Sequence, residues 1–337
     1  MKGAYSDPED KLERLTQSLL FPDNPYYHDS GGDPSIIPTL TREEFVSFYK
    51  KYYHPTNARV FVAGDESDVY HALAAADRYM SPMGQNPSSR DDSVINYQPL
   101  RFMEPVRDRK PFAAAATAAE TAEEVGGGDD TDGGGEGHML CVTWLLNAQP
   151  ISAMMELAWV VLDGLLLGMP SSPLRKALED SRLGEETIGG GLDNELLQST
   201  FAIGMRGVKN EEDVRHLEDL IMDTLRGLHV DGFTDDEIAG TMNTIEFKLR
   251  EGGGGLRGME IFLGALTKWN YDLSPKDALV YEDALKSMKE EIERGGSSVF
   301  KTMIFDSLLG NNHRVVMELY PSTTLEEEQK QVRRVAE

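Results

Sequence analysis

Apolar and polar positions along the chain alternate with two periods, and most of the length follows the helical one. Ser6, Asp7 and Pro8 offer a cap and an early proline for a helix running to about Phe21. Thr41 and Glu44 have capping-box spacing, and Phe45, Phe48, Tyr49 and Tyr52 then share one helical face. Residues 58–63 (ARVFVA) are apolar at both parities and predict a buried strand, followed by a helix over 68–80. Residues 81–96 read as a linker rich in Pro, Ser, Asn and Asp, and a strand is expected to start near Tyr97. Beyond it, 138–146 predicts a strand, 151–169 an apolar helix, 171–181 a second helix, and 185–192 and 198–208 two more strands.

The C-terminal half is mostly helical. Val214, Leu217, Leu220, Ile221, Leu225 and Leu228 form a stripe at helical spacing. Thr234 and Glu237 make a second capping box, with Ile238, Met242, Ile245 and Leu249 facing inward. Glycines 252–255 break that helix, and helices follow over 256–268, 276–293 and 297–309. Residues 314–319 predict a strand, and 325–337 is charged and helical. Strands and helices mix without a regular βαβ repeat, which predicts an α+β fold: a mostly antiparallel sheet covered by helices.

Gly189, Gly190 and Gly191 interrupt the strand pattern after Ile188. Their backbone can be approached closely because no side chain stands in the way. Two readings follow from the residues: a glycine-rich connection between elements, or a sheet edge on which an extended peptide pairs as an added strand.

Composition narrows the function. The 337 residues are 40% hydrophobic, enough for substantial cores, and the net charge is −25. Nucleic acid, which needs Lys and Arg against phosphate, is not an expected partner; the acidity reads either as plain solubility or as long-range steering of basic ligands. Residues 107–137 are low in complexity, and 117–137 holds seven acidic and no basic residues. So little apolar surface cannot offset ordering entropy, so 107–137 is read as a disordered acidic insert. The most apolar run contains Glu156 and Asp163. An acid at the centre of a membrane helix costs roughly 2.5–3.5 kcal/mol, so a buried core helix is expected instead of a span. No targeting segment is visible at the N-terminus.

Catalytic chemistry is not legible. The seven histidines are scattered, with no H-E-x-x-H or H-x-x-E-H pair, and are expected on the surface or as caps. Cys141 is alone, which excludes an internal disulfide and a thiolate zinc site. Ser171 and Ser172 are not in a nucleophile elbow, and the 252–257 run lacks the Lys-Ser/Thr of a phosphate loop. No catalytic residue and no metal ligand is assigned.

Several blocks in fixed order resemble the presequence proteases, relatives of pitrilysin and insulin-degrading enzyme. They are MKGAYSDPED, LFPDNPYYHDSGGDPSIIPTLTREEF, KKYYHPTNARVFVAGD, SSPLRKALEDSRLG, IGGGLDNELLQ, MNTIEFKLRE and NNHRVVMEL. The resemblance covers most of the chain except 107–137. It implies a zinc metalloendopeptidase of mitochondrial matrix or plastid stroma that degrades cleaved targeting peptides and other short unstructured peptides. It also implies that the zinc ligands, an inverted H-x-x-E-H motif and a distant glutamate, precede Met1. The chain is then read as a fragment inactive by itself: 1–80 the end of an incomplete first domain, 81–96 a linker, 97–321 a complete non-catalytic pitrilysin-type domain, and 322–337 the start of a helical hinge. Its expected partners are short basic or unstructured peptides and the missing halves of the same enzyme; membrane and nucleic acid are not expected. The resemblance places Ile188, Gly189, Gly190 and Gly191 on an edge strand, the exosite, that pairs with substrate. A non-catalytic peptide-binding module or partner subunit is the alternative.

Overall fold

A computed structural model describes residues 7–32, 36–113, 137–251, 257–277, 279–322 and 324–325. In chain order the helices are α1 (Pro8–Leu20), α2 (Arg42–Tyr52), α3 (Glu66–Met80) and α4 (Pro87–Asp91), followed by strands β1 (Val106–Ala113) and β2 (His138–Leu145). Then come α5 (Ala153–Leu167), α6 (Pro173–Ser181), β3 (Glu186–Asp193) and β4 (Thr200–Val208). The chain continues through α7 (Glu211–Asp231), α8 (Asp235–Glu251), α9 (Arg257–Trp269), α10 (Glu282–Gly295) and α11 (Ser298–Ile304) to β5 (Arg314–Ser322).

The strands form one sheet in the order β1-β5-β2-β4-β3. Only β1 and β5 are parallel; β5–β2, β2–β4 and β4–β3 are antiparallel. The fold is therefore α+β, as the mixed pattern predicts. Central β2 is buried on both faces. Its Leu140, Val142 and Trp144 face the main core, built with α5, α6, α7, α8, α10 and α11. Met139, Cys141 and Leu145 face a second core closed by Leu12, Leu20 and Phe21 from α1 and its end. The sheet is thus a middle layer, and α1 seals the face opposite the helical bundle.

Local rules hold where they were legible. Thr41 and Glu44 form a reciprocal capping box, and Thr234 and Glu237 another. α5 is buried around most of its circumference, with Leu157, Ala158, Trp159, Val161, Leu162, Leu165 and Leu166 inside. Its two acids have partners: Glu156 pairs with Lys268, and Asp163 accepts from the Leu192 N–H. No described helix is long and apolar enough to cross a membrane.

Expectations fail at several places; the helix expected over 276–293, for example, begins only at Glu282. Residues 58–63 form no strand, and Val60 and Phe61 are exposed; no partner strand lies beside them among the described residues. No strand starts at Tyr97. The backbone there is held by a side chain: Gln98 N–H donates to Gln198 Oε1 at 2.5 Å, and Gln198 Nε2 donates back to the Gln98 carbonyl at 2.9 Å. Residues 107–113, assigned to the disordered acidic insert 107–137, form most of β1, paired in register with β5. Residues 114–136 of that insert lie outside the described residues, as do the expected break at 252–255 and residues 323 and 326–337 of the expected hinge; Ser322 ends β5.

His313 departs from the expected surface or capping role. It is buried, stacks on Phe102 at 3.7 Å between centroids, and lies within hydrogen-bonding distance of the Leu20 carbonyl through Nε2, at 2.8 Å. Its Nδ1 accepts from the Arg101 N–H at 3.2 Å. One neutral ring therefore ties the end of α1 and the 98–102 segment to the start of β5.

Candidate functional site

The sheet has two edges with opposite character. Edge strand β1 reads VRDRKPFA. Its alternating charges and Pro111 are the features that block further strand pairing. Edge strand β3 reads ETIGGGLD and has no side chains at its centre. The glycine triplet lies inside this strand, so it is not a connection between elements.

The register explains the glycines. Ile188 pairs with Gly204 and Gly191 with Ala202, so Gly189 and Gly190 together oppose Ile203 in a β-bulge. All three glycines have positive φ, at 99°, 72° and 79°. Each also has its own surroundings. A Cβ on Gly189 would lie 2.8 Å from the Ala202 backbone, and one on Gly191 would collide with Asp163 Oδ1. Around Gly190 nothing comes within 4 Å. Gly189 and Gly190 are exposed, Gly191 is buried, and the Ile188 side chain is buried in the α1-facing core. Of the predicted edge residues, Gly189 and Gly190 offer open backbone, while Ile188 and Gly191 anchor the strand.

Asp163, which sequence reasoning weighed only against a membrane span, helps define this edge. Its Oδ1 accepts the Leu192 N–H at 3.0 Å. That donor is thereby removed from the ladder, which marks where the open edge ends. Burial holds the Asp163 carboxyl above its ordinary range, with the Leu192 N–H acting in the opposite direction. An aspartate in the middle of the most apolar run was the available signal.

The ends of β3 are acidic. Glu186 and Asp193 are exposed, and Arg206 on neighbouring β4 pairs with Glu186 and, at 3.1 Å, with Glu9 of α1. The edge thus presents exposed backbone between two carboxylates. Among the described residues no group of three or more His, Cys, Asp or Glu could hold a metal ion. The zinc implied by the resemblance therefore does not fit these residues. The histidines serve elsewhere: His54 Nδ1 accepts from the Thr56 N–H, His71 Nδ1 lies 2.7 Å from the Ser67 carbonyl, and His138 contacts Glu318 at 2.7 Å.

Comparison with known proteins identifies the family. The family described as "Peptidase M16 inactive domain" matches residues 39–245. Presequence protease 1 of Arabidopsis thaliana, a chloroplastic and mitochondrial protein, is 43% identical over 95% of the chain and 28% of its own length. Protein HypA of Clostridium perfringens is 30% identical over 97% of the chain and 31% of its own length. The chain thus spans under a third of these relatives. The solved M16 inactive domain from Pseudomonas fluorescens superposes with a TM-score of 0.65 at 16% identity, covering 95% of this chain and 67% of that one, which shows a shared fold. The chain belongs to the M16 peptidase family, and the part it represents is the non-catalytic, inactive-domain part.

Proposed function

We propose that this chain holds substrate for a zinc metalloendopeptidase that degrades cleaved targeting peptides and other short unstructured peptides. The observation that carries the reading is the free edge of β3, with exposed backbone at Gly189 and Gly190 bounded by Ile188 and Gly191. An extended peptide would add there by main-chain hydrogen bonds, with little demand on its sequence. The acids at both ends of β3 favour basic peptides. In this reading the zinc and its ligands belong to other parts of the enzyme, and this chain alone neither binds zinc tightly nor hydrolyses peptide. The Arabidopsis relative supports a plastid or mitochondrial location.

We keep the division 1–80, 81–96, 97–321 and 322–337 within this proposal. The aromatic face of α2 supports a further partner. Phe45, Phe48, Tyr49 and Tyr53 are all more than half exposed. Such a patch marks a surface that another polypeptide covers. The remainder of the same enzyme is the proposed cover, and a separate catalytic subunit is the alternative.

The test is a titration of the chain with a basic, extended, end-blocked peptide. Gly190→Pro removes an edge N–H and resets φ, and it should abolish binding. Unchanged affinity in that variant would refute the edge.

A further inference from the structure

Between α1 and β3 lies a crevice of about 180 Å³ that Gly189 helps to line. It therefore opens beside the backbone proposed to pair with peptide. Its walls are aliphatic and aromatic, including Leu12, Phe21 and Leu196. Three carboxylates border it: Glu9, Glu13 and Asp193. Glu9 is paired with Arg206, and among the described residues Asp193 accepts only the Glu195 N–H, two positions on, at 2.9 Å. Glu13, exposed at the mouth, has no hydrogen bond or ion pair among the described residues. Its carboxyl is held above the ordinary range, first by burial and then by the charges of Asp10, Glu9, Asp193 and Asp7.

A second feature is independent of the acids. Thr16 lines the same crevice, is 5% exposed, and its Oγ1 has no partner among the described residues. A helical threonine hydroxyl ordinarily bonds back to the carbonyl one turn earlier. A buried hydroxyl left without one costs about 1–3 kcal/mol. Acceptors at the mouth and in the wall, between apolar surfaces, suit a long aliphatic stem ending in a compact multiple donor. That describes lysine; the planar fork of arginine wants a facing pair of acceptors.

We propose that this crevice is a side-chain pocket for a lysine of a peptide paired along β3, its ammonium held by Glu13, Asp193 and the Thr16 hydroxyl. The proposal rests on the edge-strand reading and adds a sequence preference to it.

The test uses the full chain and a set of end-blocked, extended peptides in which a single lysine moves one position at a time, each matched to a norleucine twin. Norleucine keeps the stem and lacks the ammonium, so the protein stays unchanged in that comparison. One register should show lysine binding about tenfold tighter than norleucine, the size expected of a charged hydrogen bond. The advantage should fall to within about twofold in Glu13→Gln and shrink in Thr16→Val, with thermal melts confirming that both fold. Equal lysine gains at every position would reflect the overall negative charge and overturn the pocket. So would equal binding of the twins. If the twins bind equally and Gly190→Pro abolishes both, the pocket fails while the edge stands. If no peptide binds the wild type, both fail.

Discussion

Substitution of the three glycines one at a time tests the edge geometry. Each has positive φ, so alanine at any of them carries about 1–2 kcal/mol of left-handed strain. Gly190→Ala should cost only that, because open space surrounds its Cβ. Gly191→Ala should cost more. Its Cβ would displace the Asp163 carboxylate, and the Leu192 N–H would lose its acceptor. A lost hydrogen bond to a charged group adds about 1–3 kcal/mol, for a total near 2–5 kcal/mol. Urea unfolding measures the difference as a midpoint shift at constant m. Asp163→Ala removes the same acceptor and the collision with it. In the double variant the two changes should therefore cost less than their sum by about 1–3 kcal/mol. Equal destabilisation by Gly190→Ala and Gly191→Ala, or strict additivity with Asp163→Ala, would refute the role given to Asp163.

Further predictions concern the rest of the fold. Burial, the largest cause, lowers the His313 pKa, and Arg101 acts in the same sense; the Leu20 carbonyl and Asp23 oppose them. The unfolded chain, with its imidazole near 6.5, then binds the extra proton first, so this contribution is intact above about pH 6.5 and declines as pH falls toward the folded value. Unfolding at a series of pH values should show this loss, and His313→Gln should flatten it. Burial pushes the Cys141 thiol up to about 11, so a thiol reagent at neutral pH should label it only after unfolding; rapid native labelling would contradict the buried β2 assignment. Phe45→Ser with Phe48→Ser should reduce self-association in light scattering and shift the unfolding midpoint by no more than about 0.5 kcal/mol, as both rings are exposed.

Legibility followed how locally each feature is determined. The two capping boxes and the α7 stripe depend on residues within a few turns of one another, and the structure reproduces them. β1 was missed because its Arg107, Asp108, Arg109, Lys110 and Pro111 look unlike a strand, and its partner β5 is some two hundred positions later. Context of that kind overrides propensity. The reverse error occurred at 58–63, where strand-like residues have no strand to pair with. At the candidate site the triplet was legible as unusual. Its place at the sheet edge, its bulge and the reach of Asp163 all required the fold.

Backbone pairing on β3 is tested most directly by amide hydrogen exchange of the chain with and without a basic extended peptide. Ile188–Gly191 should gain protection in the complex, while the charged β1 edge should not change. Protection confined to other surfaces, with β3 exchanging as in the free chain, would contradict the account.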